Sequence, residues 1–302
     1  LRANTTAYNN TAIGKDSLRY NTTGYTNTAV GKEAGKSITT GYGNTALGSD
    51  SLESNQTGIY NTAVGLSSLG NTTGSNNTGV GFGSGASTTS GTSCVFVGSY
   101  AGLSNTTGDN NTIVGRASLY SNTTGDNNTA LGKSALQNNT TASNNTAVGF
   151  DAMLSNTTGG SNVAVGYESL KQQTTANSNT AVGFQALYSN TTANHNTAVG
   201  NNALLLNTTG HSNVAVGNQA LDACTTGHQN NAVGHLAMTT LTTGSNNQAF
   251  GRRALEYLTT GNSNNAYGEK ALQNTTTASD NTAFGHNALL ANTEGHSNTA
   301  VG

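Results

Sequence analysis

Proline and tryptophan are absent from this 302-residue chain, cysteine occurs twice, aromatic residues make up 6% and charged residues 8%. Those shortages argue against the two ordinary domains that length alone would suggest. A net charge of −2 leaves no electrostatic footprint for nucleic acid or an anionic membrane. No run approaches the roughly 18 apolar residues of a membrane-spanning helix, and no secretory leader is visible at LRANTTAYNN. What remains is Asn, Thr and 39 glycines, with hydrophobic residues at 33%. Such a composition suits a disordered linker unless its apolar residues are periodic.

They are periodic. A glycine closes each NTAVG-like stretch, at Gly14, Gly31, Gly48, Gly65, Gly81, Gly98 and onward to Gly302. Of the seventeen intervals between these eighteen glycines, sixteen are 17 residues and one, Gly65 to Gly81, is 16. With that glycine as repeat position 1, the repeat reads G-x-x-A/S-L-x-x-N-T-T-G/A-x-x-N-T-A-V. Position 17 is always apolar, position 4 is always Ala or Ser, and position 5 is Leu or Met except at Gly35, Gly85 and Gly102. Position 14 is Asn except at Cys94. A fixed short period of this kind is the signature of a stacked repeat architecture, not of disorder.

Seventeen residues are too few for a helical pair, and Gly, Asn and Thr are poor helix formers. NVAVG at 162–166 and 213–217 alternates apolar residues two apart, as a strand does. The expectation is an all-β parallel β-solenoid over residues 1–302, with 17 residues per rung, about 18 rungs stacked at about 4.8 Å, and a length near 85 Å. The array reads as a segment of a longer fibre. Positions 15–17 form the strand, the glycine bends the chain, and NTTG makes the return loop. Position 17 is expected inward, so that Val30, Val64, Val148 and Val182 join Leu52, Leu136 and Leu187 as core. Position 16 then faces away, as an alanine column (Ala29, Ala147, Ala181, Ala198) open to close approach by another chain, with Phe96 and Ile113 as bulky exceptions. One Val, one Leu and one Ala per rung bury too little apolar surface to order seventeen residues on their own. Ladders of like side chains must therefore close the gap. The candidate ladder is position 14: Asn10, Asn27, Asn44, Asn61, Asn111, Asn128, Asn145, Asn162, Asn179, Asn196 and Asn213, with Cys94 as one small substitute.

SNVAVGYESL (161–170), NNTAVGFDAM (144–153) and SNTAVGFQAL (178–187) resemble the N-S-V-A-I-G-x-x-A repeat of trimeric autotransporter adhesin heads. The chain also looks like the NTAVGxxAL…NTTG arrays of bacterial and phage tail-fibre-like proteins. The resemblance covers the strand, the closing glycine and the small residue after it in nearly every repeat. It implies a left-handed parallel β-roll, a homotrimer and surface attachment. The adhesin-head repeat is shorter, and the extra residues here fall in the NTTG loop.

Catalysis needs a non-repeating constellation of groups, and the breaks in the repeat supply none. His211 and His228 share position 12 on adjacent rungs, without a carboxylate or thiol on that face to complete a metal site. Asp109 and Asp126 share the same position in adjacent loops. Cys94 and Cys224 lie seven to eight rungs apart, roughly 35 Å at the stacking distance, too far to form a disulfide. No phosphate loop, nucleophile elbow or dinucleotide fingerprint appears. Position 2 carries Phe150, Tyr167 and Phe184 on consecutive rungs, a candidate strip for binding glycans or another chain. Asn-x-Thr sequons at Asn21, Asn71, Asn105, Asn122, Asn139, Asn156, Asn190 and Asn207 in the loop are candidate glycosylation sites. Others lie at Asn9, Asn76, Asn110, Asn127 and Asn144.

The functional expectation is a structural, non-enzymatic fibre or adhesin shaft, extracellular, at the cell surface or on a virion. It needs no cofactor or metal, does not insert into a membrane, and partners itself and host or surface glycans. Alternatives are a single-chain solenoid polymerising end to end through its open edge rungs, and an ice- or glycan-binding solenoid. The Thr pairs at positions 9 and 10 (Thr22/Thr23, Thr106/Thr107, Thr123/Thr124, Thr157/Thr158) suggest the ice reading.

Overall fold

The computed structural model describes residues 1–302 and contains eighteen three-residue strands and no helix. It divides into two compact units, Leu1–Asp151 and Ala152–Gly302. The first holds nine strands, from β1 (Thr11–Ile13) to β9 (Thr146–Val148), and the second nine more, from β10 (Val163–Val165) to β18 (Thr299–Val301). Within each unit every strand pairs in parallel with the next at one repeat's offset, as in Thr28↔Thr45 and Thr180↔Thr197. Each unit is a parallel β-solenoid of about 17 residues per turn.

Each strand stops after three residues because the glycine at position 1 turns the backbone where other residues cannot follow. Gly31 has φ +138°, and a Cβ placed on it would stand 2.5 Å from the carbonyl oxygen of Gly48 on the next rung. Backbone bonds between rungs continue beyond the strands. Gly31 N–H donates to Ile13 O at 2.8 Å, Leu52 N–H to Ser68 O at 3.1 Å, and Thr106 N–H to Thr123 O at 2.9 Å. Loop backbone polar groups are thus paired by the stack, which lets short strands support a regular solenoid.

The 16-residue repeat keeps the sheet in register, with Thr62 opposite Thr78. Its missing residue comes out of the bend at positions 9 and 10. Thr72 takes the buried place of position 8, Thr73 bonds to Thr89 O, and Gly74 follows directly.

Strand alternation has the opposite phase from that expected. Position 16 points into the solenoid: Ala29, Ala63, Ala147 and Ala181 are buried, whereas Val30, Val64, Val148 and Val182 lie half-buried on the outer face. The reason is room. Leu52, Leu136 and Leu187, all fully buried, fill the narrow interior and leave space for a methyl group opposite. The β-branched pair at positions 15 and 17 then goes outside, and a phase change of one residue moves every side chain of the strand to the other face.

The bulky exceptions explain the position-5 glycines. Phe96 and Ile113 are fully buried, not outward. A Cβ on Gly85 would lie 2.7 Å from Phe96 Cδ2, and one on Gly102 would collide with the same ring. Gly35 likewise makes room for Ile38, whose Cδ1 is 2.9 Å from where its Cβ would stand. Position 5 has a left-handed backbone throughout, as in Leu52 (φ 48°) and Gly85 (φ 58°). Glycine therefore relieves strain where the leucine volume is supplied from elsewhere.

Candidate functional site

No pocket opens in either unit, so the chemistry lies in columns of like side chains. Two are amide ladders. At position 14, Asn27 N–H donates to Asn10 Oδ1 at 2.8 Å, Asn44 N–H to Asn27 Oδ1 at 3.0 Å, and Asn61 N–H to Asn44 Oδ1 at 3.0 Å. Asn128 and Asn145 continue this pattern in the first unit, and Asn179, Asn196 and Asn213 follow it in the second. The amide Nδ2 donates across to the position-11 carbonyl of the next rung, as Asn111 does to Gly125 and Asn162 to Ala176. Cys94 fits because its Sγ accepts Asn111 N–H at 3.4 Å and reaches Gly108 O at 3.3 Å. Burial pushes its thiol up to about 11.

The second ladder is position 8, the asparagine of NTTG. Asn21, Asn105, Asn122, Asn139, Asn156, Asn190 and Asn207 are fully buried. Their Nδ2 groups donate to the position-11 carbonyl of their own rung, at 2.9 Å for Asn21 to Gly24 and 3.0 Å for Asn190 to Ala193. This corrects the reading of these sequons as glycan attachment sites. The nitrogen that would carry the sugar is inside the solenoid and engaged. Only Asn71, displaced by the short repeat, is exposed, as are Asn9, Asn76, Asn110, Asn127 and Asn144 at position 13. Sequence reasoning took position 8 for loop; its signal was the substitution pattern. Ile38, Cys224, Leu241 and Leu258 replace Asn in that column and are all buried.

Position 12 has its own rule. Where it carries Asp, Asn or Ser, its side chain accepts the backbone N–H of the preceding rung. Asp126 Oδ1 takes Asp109 N–H at 2.7 Å, and Asp109 Oδ1 takes Thr92 N–H at 2.6 Å together with Thr92 Oγ1 at 2.9 Å. The paired aspartates therefore serve the stack. His211 and His228 stack at 5.0 Å, and His228 Nδ1 meets Ser245 Oγ at 3.0 Å. Glu33, Asp50 and Glu53 converge within 4.8 Å. Lys36 already sits among them, 2.9 Å from Glu33 and 3.4 Å from Glu53, and its hydrogen bond holds the Glu33 carboxyl below the usual range.

The aromatic candidates are exposed, but their faces are engaged. In the second unit Tyr167 and Phe184 stack at 5.3 Å with 6° between planes. In the first, the Lys133 ammonium lies 5.0 Å above the Phe150 ring. Further ladders run through Tyr8, Tyr25 and Tyr42 at position 12, and through Phe250, Tyr267 and Phe284 at position 17. Stacked rings show their edges outward, which is the wrong aspect for a sugar ring seeking an aromatic face.

The outer sheet face carries a column of exposed and half-exposed apolar side chains. Position 17 presents Val, Ile, Leu, Phe or Tyr on every rung, beside Thr or Val at position 15 except at Asn231, Gln248 and Asn265. Ile13, Leu47 and Val80 in the first unit are 59%, 46% and 37% exposed, and Phe284 in the second is 45% exposed. No protein-family model and no curated protein matches the chain.

Proposed function

We propose that this chain is the shaft of an extracellular fibre or adhesin, a structural scaffold that associates with copies of itself at a cell or virion surface and catalyses nothing. The observation that carries the reading is the outer sheet face. In each unit it sets an apolar side chain at position 17 on every rung, flanked at position 15 by Thr or Val except at Asn231, Gln248 and Asn265, as at Thr45 and Leu47, Thr62 and Val64, Thr180 and Val182. Apolar surface arranged in a continuous stripe marks an interaction site. Its period of one rung is matched contact for contact by another copy of the same repeat. The interface is thus assigned to positions 15 and 17, in place of the buried alanines. The resemblance to adhesin heads favours three chains.

Light scattering on the purified chain tests this. Three times the 30.4 kDa chain mass is expected, and Val64→Lys with Val114→Lys is expected to reduce it to one chain without unfolding. A single-chain mass for the unaltered protein overturns the proposal. A species that grows with time and resists those substitutions replaces it with end-to-end polymerisation.

A further inference from the structure

We infer that the threonines at repeat position 10 form a binding column for ice, with Thr23, Thr40, Thr57, Thr107, Thr124 and Thr141 as its face in the first unit. Position 10 is Thr in fourteen of the seventeen repeats; Ser90 and Glu294 stand in two, and the short repeat omits the position. Every one of these threonines is exposed. None of their hydroxyls bonds within the chain, whereas position 9 spends its hydroxyl on the stack, as Thr106 Oγ1 does on Thr123 O at 2.8 Å. An exposed, unbonded position should drift. Position 2, equally outward, runs through Lys, Ser, Leu, Phe, Arg, Tyr, Asn, His and Glu.

Two structural reasons for keeping Thr fail. A need for β-branching would admit Val or Ile, which match Thr in backbone preference, yet neither occurs at position 10. The sequon that Thr40, Thr175, Thr226, Thr243 and Thr260 would complete is broken, because Ile38, Gln173, Cys224, Leu241 and Leu258 occupy its asparagine place. Thr persists without its sequon.

The ligand class follows from what the columns hold. Positions 9 and 10 contain no ring and no charge apart from Glu294. That leaves nothing to stack on a sugar or to pair with an ion. What they offer is one hydroxyl and one methyl group per rung at about 4.8 Å, close to the oxygen repeat along a basal axis of ice. The backbone that leads into the column is held to the next rung: Thr106 N–H and Thr107 N–H both donate to Thr123 O, at 2.9 and 3.1 Å. A template already rigid loses little entropy when it orders water. The inference does not rest on the fibre reading, since it uses a different face.

The test is thermal hysteresis, read with the morphology of ice grown in the purified chain. Measurable hysteresis with faceted crystals is expected. Thr107→Lys/Thr124→Lys/Thr141→Lys should abolish it, and the matching Val triple, which keeps the shape, should weaken it. Ser49→Lys/Leu66→Lys on the variable column should leave it intact. Circular-dichroism melts establish that each variant is folded. The inference is overturned if the native chain shows no hysteresis, or if the folded Lys triple retains it. It is equally overturned if the column proves to bind crystalline cellulose or chitin, lost in the Lys triple, with no effect on ice.

Discussion

Asn111 and Asn122 donate to the same carbonyl oxygen, that of Gly125, from 2.8 and 3.0 Å. One belongs to the preceding rung and one to the same rung, so where both positions carry Asn the position-11 carbonyl is a junction between the two amide ladders. Gly24 O receives Asn10 and Asn21 in the same way. A core this thin gains its order from amides that satisfy one another.

The two ladders do not weigh equally. Asn111 also accepts Asn128 N–H, so Asn111→Leu strands a buried backbone donor, although Gly125 O keeps its bond from Asn122. Such losses cost about 1–3 kcal/mol for each unsatisfied group. Position 8 makes no such link to the next backbone, and Leu already occupies it at Leu241 and Leu258. Asn111→Leu is therefore expected to destabilise more than Asn122→Leu. Urea unfolding checks the order, with native-state hydrogen exchange at Asn128 N–H as the local readout.

Cys224 is where the position-8 ladder breaks. The Oδ1 of Asn207 on the preceding rung is buried without a donor, and so is that of Asn21, which meets Ile38. An amide at 224 supplies the missing N–H and reaches Gly227 O, now only 3.6 Å from the thiol sulfur. Cys224→Asn is expected to stabilise the chain by about 1 kcal/mol, seen as a higher melting temperature. No change or a loss would show that Asn207 Oδ1 is satisfied by water.

The period, strand position, parallel stack and position-14 ladder were all legible, because each leaves a mark at one repeat place. Phase was not. Ala29 and Val30 are both apolar, so alternation said that one faces inward without saying which, and only the volume of Leu52 and its equivalents decides. Position 8 was hidden for a related reason. Asn and Thr suit turns as well as ladders, and the asparagine in NTTG looked like loop. The exchange of Asn for Leu, Ile and Cys there was the available clue to burial.

Both thiols should be silent and their titration destabilising at high pH. Burial raises Cys94 and Cys224 from 9.0 to about 11. A raised pKa means that the folded state holds the proton more tightly. That contribution is present below pH 9 and is lost as pH climbs from 9 through about 11. Thiol reagents at pH 8 should modify the chain only after denaturation. The stability advantage of Cys94→Asn/Cys224→Asn over the native chain should widen above pH 9, in melts taken at each pH. A native chain that reacts stoichiometrically without unfolding contradicts the burial.

Phe96 and its two facing glycines should behave as one unit. Phe96→Ala empties a fully buried site and is expected to cost about 3–5 kcal/mol. Gly85→Leu or Gly102→Leu alone drives a side chain into the ring and should also destabilise, by overpacking. Together, Phe96→Ala/Gly85→Leu/Gly102→Leu recreates the Ala-and-Leu rung found elsewhere, with Leu at the left-handed φ that Leu52 and Leu136 already adopt. The triple variant is expected to recover most of the loss, so its cost falls well below the sum of the single costs. Equilibrium unfolding of the three single variants and the triple measures that coupling. Additive costs would mean that the glycines are there for the backbone alone and that Phe96 fills its space independently.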